Sequence, residues 1–234
     1  KYDKPHTPTC WASFITGKSL EEHGVTHWWR WNSLLERLRY IPPFIWIKGK
    51  RDILMKIGIK PTLRTIPENL STIFDAVKPS VPLFIPSYNE PVKIHYMYVE
   101  ASKKGLNEIV KCVWKVHKLR KDVLFKHLKN NEWKLLMCWF DLADLMSHLY
   151  TPKTRFHLLK AYLELNSIAG EVRKRIDNDT AVLIVSDHGI EIEKNGSVDH
   201  SEHGFWSLNV KPPFKPRDIT DFYKLILELT GERK

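Results

Sequence analysis

The chain has no apolar run approaching the ~20 residues that a bilayer-spanning helix needs, so no membrane span is expected. It has only three cysteines, Cys10, Cys112 and Cys138, widely spaced and with no CxxC pair. That argues against a disulfide framework or a cysteine-rich zinc site, and points to buried free thiols in a reducing, cytoplasmic setting. GxSxG, the P-loop pattern and GxGxxG are all missing, so serine-hydrolase, P-loop nucleotidase and dinucleotide readings lack their signatures. No internal repeat or low-complexity tract interrupts the 234 residues, enough for one core with an inserted cap.

What is present is charge of mostly one sign. Lys and Arg total 37 against 27 Asp and Glu, a net charge of +10. This excess favours anionic partners such as phosphate esters, nucleotides or, less favoured here, nucleic acid; a merely solvated basic surface fits it as well.

Apolar runs alternate with helical patterns. "SVPLFIPSY", "EWKLLMCWF" and "TAVLIV" read as buried strands, and "FWSLNV" as a fourth. Helices are expected from Pro8 to Gly17, from Trp31 to Leu38, from Pro67, in the second half of Ile94 to Asn130, from a Thr151 cap with Pro152 at the first position, and over "DITDFYKLILELTG". Continuous apolar strands between helices predict an α/β fold, a mixed or mostly parallel central sheet sandwiched by helices. One domain spans residues 1–234, with about 26–130 partly a variable cap. Within that region "THWWRWN" offers either a stacking surface beside Arg30 or, the preferred reading, packing.

In such sheets ligands lie beyond the carboxyl ends of the strands. Two strands end there in acid and imidazole: "DLADLMSH" follows one, "SDHG" the other. Asp144 and His148 stand at i and i+4, on one face of a helix. Asp187 and His188 are adjacent, Gly189 is read as allowing a sharp turn, and His200 follows in a loop. A DxxxH pair alone is commonly a cap and a surface histidine, and SDHG alone a turn. Together at one sheet edge they suit a divalent ion, with mixed carboxylate and imidazole favouring Zn, Mn or Fe over Ca. Cys10 reads as a buried thiol, and His6, His27, His95, His117, His127 and His157 are assigned no partner.

"TPTCWASFITGKSLEEHGV", "WFDLADLMSH", "IVSDHGI" and "HSEHGFW" resemble, in order, motifs of the alkaline phosphatase superfamily. The branch they resemble is type I phosphodiesterase/nucleotide pyrophosphatase, archaeal members included, with the stretch 26–130 weakly matched. The resemblance implies hydrolysis of a phosphodiester or phosphomonoester on a small anionic ester or nucleotide, through two divalent metals, usually zinc, and a phosphothreonine. Counting back from Thr16-Gly17 puts the nucleophile at Thr7, with Thr9 the alternative. Asp144, His148 and His200 would hold one ion, Asp187 and His188 with Thr7 the other. His203 is the second choice to His200, and His23 matches a structural turn. The family also carries a metal-binding Asp at the end of a first strand preceding the nucleophile; that strand is expected to be missing from a chain that opens at Lys1. Alternatives are a phosphatase or phosphotransferase, a sulfatase-like relative (although CxPxR is absent), and a non-catalytic basic binding protein that has lost one metal site.

Overall fold

The computed structural model describes residues 5–31, 41–42, 58–130, 132–149, 155–192 and 198–232. Helix α1 (Thr7–Thr16) has Pro8 in its first turn, where a fixed φ and a missing N–H are harmless. It stops at Gly17, whose φ is 66°; a Cβ there would also lie 2.9 Å from the Tyr223 ring. One more helical turn follows, α2 (Leu20–His23), closed by a Ser19–Glu22 capping box. A small antiparallel pair joins β1 (Trp29–Arg30) to β2 (Thr62–Leu63). The helix expected from Trp31 to Leu38 falls on residues outside those described, Trp31 apart.

The helix expected from Pro67 starts later, as α3 (Ile73–Ala76). The Thr72 N–H and hydroxyl both donate to Asp75 Oδ2, which sets the cap there, and Pro67 to Leu70 is a hydrogen-bonded turn. Strand β3 (Ser80–Leu83) runs parallel to β4 (Leu135–Cys138), Ser80 opposite Leu135 and Leu83 opposite Cys138. The crossover between them is two helices, α4 (Val92–Lys103) and α5 (Leu106–Leu128). Helix was expected only in the second half of this stretch. The first half buries little but Ile94 and is held by packing Tyr98 and Ala101 against the α5 cluster, a tertiary contact its own pattern does not announce.

Helices α6 (Leu142–Leu149) and α7 (Arg155–Arg175) follow; the expected Thr151 cap and Pro152 start lie outside the described residues. Strand β5 (Leu183–Val185) pairs antiparallel with β8 (Trp206–Leu208). Between them stands a hairpin of β6 (Gly189–Ile192) and β7 (Val198–Ser201), where only a loop was expected. Helix α8 (Asp221–Leu229) closes the chain with Phe222, Leu225 and Ile226 buried. No helix among the described residues is long and apolar enough to cross a membrane.

The fold is α/β, with helices and small sheets. Around β4, helices cover both faces: Leu135 and Met137 join a core with α1, α3 and α8, while Leu136 and Cys138 face α5 and α7. Helix α5, inside the stretch read as partly cap, is therefore one of the sheet's covers. The described strands form four two-stranded pairs rather than one continuous sheet.

Strands β4 and β5 are also less buried than their apolar sequences suggest: Ile184 is 42% exposed and all of β4 is half-buried. The reason is a cavity of about 1020 Å³ that runs along both strands, bordered by every residue of 133–140 and of 179–190.

Candidate metal centre

The residues after β4 and β5 meet at one edge. Helix α6 brings Asp144 and His148 onto one face, and Asp144 Oδ1 lies 3.3 Å from His148 Nε2 and 3.6 Å from His200 Nε2. His148 Nε2 and His200 Nε2 are 3.0 Å apart. His200 comes from β7, and its ring stacks on that of His188 with 3.6 Å between centroids and 14° between planes. Asp144, His188 and His200 each offer a ligand atom within 4.8 Å of the others. Asp187 Oδ2 lies 3.5 Å from His188 Nε2. The Thr7 hydroxyl, at the start of α1, is 3.4 Å from the same nitrogen. All six residues singled out in the sequence thus lie close together: Asp144 approaches both His148 and His200, Asp187 and Thr7 approach His188, and the His188–His200 stack joins the two sets.

The backbone orients two of the rings. His200 Nδ1 is 2.8 Å from the Pro5 carbonyl, and His188 Nδ1 is 3.0 Å from the Gly189 carbonyl. A carbonyl only accepts, so each Nδ1 carries a proton, and each Nε2, the atom a metal ion would take, faces the cluster. The Pro5 contact carries no sequence signal, because a main-chain acceptor can come from any residue.

Two glycines permit the approach of the hairpin. A Cβ on Gly204 would sit 2.3 Å from the Ser186 carbonyl oxygen, and one on Gly189 2.5 Å from Ser201 Oγ. Gly189 is thus required by close packing inside a strand, whereas the sequence suggested a sharp turn.

The two buried acids of the cluster shift in opposite directions. Burial alone would raise the Asp144 carboxyl, but the His148 and His200 imidazoles beside it hold it below the usual carboxylate range. Asp187 is pushed up, chiefly by burial, with the Asp144 charge adding to it. The Asp144 carboxylate raises His200 in turn, against the opposing effect of burial. Asp144 Oδ1 and Asp187 Oδ2 are buried and accept no well-formed hydrogen bond. Buried anionic oxygens beside inward-facing imidazole lone pairs are a donor set that fits a divalent cation.

The alternatives are placed differently. Thr9 is buried with its hydroxyl donated to the Val25 carbonyl at 2.8 Å. His203 is exposed, outside the Asp144–His188–His200 group. Burial drives the Cys10 thiol up to about 12, which suits an inert thiol. His23 accepts from the Val25 N–H at Nδ1 and lies 3.0 Å from Ser13 Oγ through Nε2, a structural tie.

Two histidines left without partners do have them: His95 lies 3.3 Å from Glu90 and His117 3.4 Å from Glu164. In "THWWRWN" the Trp28 ring packs 4.6 Å from that of His95, as packing requires. The sequence reading also passed over Arg120, 0% exposed, whose Nη2 donates to Glu90 at 2.8 Å and Asp141 at 3.1 Å and whose Nη1 donates to the Trp139 carbonyl. This group grips the turn between β4 and α6 from beneath; the one signal for it was the acid opening "DLAD".

A family model described as "Type I phosphodiesterase / nucleotide pyrophosphatase" matches residues 3–204. No curated protein and no solved structure matches the chain.

Proposed function

Because the chain belongs to the type I phosphodiesterase / nucleotide pyrophosphatase family, within the alkaline phosphatase superfamily, we propose that it hydrolyses small phosphate diesters through a phosphothreonine at Thr7. Members of this family are typically metal-dependent hydrolases of phosphate-ester or nucleotide substrates. The observation that carries the finer reading is the Thr7 hydroxyl, 3.4 Å from His188 Nε2 and beside the buried acids.

In this reading Asp144, His148 and His200 hold one divalent cation and Asp187, His188 and Thr7 a second, zinc before manganese or iron. Cations held there would lower the pKa of the threonine hydroxyl and offset negative charge on the phosphoryl group. Thr7 Oγ1 bonds to phosphorus as the ester bond to the leaving oxygen breaks; the hydroxyl proton passes to solvent and the leaving oxygen is protonated from it. Water then cleaves the Oγ1–P bond and restores the hydroxyl. The +10 charge draws anionic substrate in, and the three free cysteines suit a cytoplasmic setting. The fold in this reading is alkaline-phosphatase-like, its central sheet including both the β3–β4 and β5–β8 pairs.

The test is hydrolysis of bis-p-nitrophenyl phosphate against p-nitrophenyl phosphate by the metal-loaded protein and its Thr7→Ala variant. Faster turnover of the diester, lost in the variant, is expected. Full activity in Thr7→Ala would remove Thr7 as nucleophile, and preference for the monoester would favour a phosphatase.

A further inference from the structure

We propose that helix α7 pairs with the α7 of a second copy of this chain, antiparallel, about a two-fold axis that passes beside Leu163. Helix α7 supplies no residue of the cluster, so the pairing stands whether or not the cluster hydrolyses phosphate esters.

An exposed apolar stripe carries the first step. Phe156 is 75% exposed, and Leu159, Tyr162 and Leu163 are each more than half exposed. Positions 156, 159 and 163 have the three-and-four spacing that keeps residues on one side of a helix. On the opposite side Leu158, Ala161, Leu165 and Ile168 join the cores. The cavity along β4 and β5 has Tyr162 and Leu165 in its wall but not Phe156, Leu159 or Leu163, so it does not account for their exposure. The three side chains, with Tyr162 at their flank, leave roughly 400 Å² of apolar surface in water. Single exposed leucines are ordinary, but a continuous patch of that size on one helix marks a contact surface.

The rest of the stripe states what sits on it. Beyond Leu163 the same side continues with Ser167 and Gly170, both exposed. The stripe is therefore bulky at one end and small at the other. In an antiparallel pair with its axis at Leu163, residues equally far before and after that position come level. Phe156 then meets Gly170 of the second copy, Leu159 meets Ser167, and Leu163 meets Leu163. Each bulky side chain faces a small one, which lets the helices approach to the ~8–10 Å of close packing. Steps of seven residues, 156 to 163 to 170, keep that contact over ~20 Å of helix at the ~20° crossing of such pairs. A second copy supplies this complement by symmetry.

Charge agrees with the same register. Positions 155 and 171, an Arg and a Glu in the sequence, come level at both ends of the pair. Glu171 already lies 3.4 Å from Lys174 and from Arg175, so this match sets orientation more than strength. Lys160, whose ammonium lies 5.2 Å from the Trp114 ring centre, comes level with Asn166. The register thus sets no like charges face to face, which an interface between two chains of +10 requires.

The test is sedimentation velocity of the protein from about 1 to 100 µM, beside its Leu163→Asp and Gly170→Trp variants. The apolar stripe is about half of a standard ~800 Å² contact per copy, so a dimer with a Kd of about 10 µM is expected. Leu163→Asp sets two carboxylates against each other at the axis and should weaken the dimer at least ~100-fold. Gly170→Trp decides the register. Among the described residues a Cβ at Gly170 meets nothing within 4 Å, so the variant should fold as before. Its ring would collide with Phe156 of the second copy and should weaken the dimer at least ~10-fold, whereas a surface that was simply sticky would gain from it. A monomer throughout, up to about 100 µM, would overturn the proposal, as would a dimer that Leu163→Asp leaves intact. Tighter pairing in Gly170→Trp would remove the axis from Leu163, and growth past two copies would contradict two-fold closure.

Discussion

Two groups of ionisable side chains sit on either side of the turn between β4 and α6, and they solve burial differently. Under the turn, Glu90 and Asp141 share the Arg120 guanidinium, whose carbon lies 4.5 Å from the Trp139 ring centre, and Tyr98 donates to Asp141 at 2.8 Å. The cation is part of the chain. Above the turn, Asp144 and Asp187 face His148, His188 and His200, and among the described residues neither acid has a Lys or Arg partner. Leaving a buried charge unpaired is strongly unfavourable, so the first group reads as a brace and the second as a seat for a cation from outside. Burial of charge alone does not identify a functional site; a missing counter-charge does.

The largest expected effect separates chemistry from support. Thr7→Ala should cut bis-p-nitrophenyl phosphate turnover by at least ~10³-fold, as loss of a nucleophile does, with the melting temperature little changed. A loss below tenfold, measured by initial rates, would erase that distinction.

Arg120→Met should do the reverse. Removing one partner of a buried network costs about 3–5 kcal/mol, roughly 10 °C in a chain of this size, read by denaturant and thermal melts. Metal content of the fraction that stays folded should be unchanged. Unaltered stability would mean that the brace holds nothing.

Asp144→Asn should weaken divalent-metal binding by more than the ~10–100-fold that outer partners of a site cost, measured by competition with a chromophoric chelator. The metal-free protein should lose some stability, since the His148 and His200 imidazoles favour the folded carboxylate, but far less than Arg120→Met removes. Marked destabilisation of that form would put Asp144 with the brace.

The smallest effect uses histidines outside both groups. Burial holds His23 and His117 below the ordinary imidazole value of 6.5, His117 despite the Glu164 carboxylate beside it. A depressed folded value favours the neutral ring. Its stabilisation is present above pH 6.5 and is lost as pH falls through the folded value. Melts of metal-free protein should therefore decline below pH 6.5, and less steeply in His23→Gln. An equal slope would assign the pH dependence elsewhere.

Much of the site could be read from the sequence because its residues are local pairs anchored to strand ends: Asp144 with His148 one helical turn apart, Asp187 with His188 straight after "TAVLIV". Their meeting with Thr7 came from the resemblance, since no local pattern joins residue 7 to residue 188. The β6–β7 hairpin was not expected, because the short stretches on either side of its connection carry no long apolar run and read as loop. The Arg120 brace was not legible because its members lie 21 and 30 residues apart on different elements. Exposure of Ile184 could not be foreseen either, as an apolar run reports what a strand needs around it and not what surrounds it.

The central claim is that Asp144, His148, Asp187, His188 and His200 seat two divalent cations around Thr7. The direct measurement is anomalous scattering from crystals of the protein loaded with zinc. Two peaks are expected, one among Asp144, His148 Nε2 and His200 Nε2, the other among Asp187, His188 Nε2 and Thr7 Oγ1. A cluster without a peak, or one peak bound away from Thr7, would contradict the account.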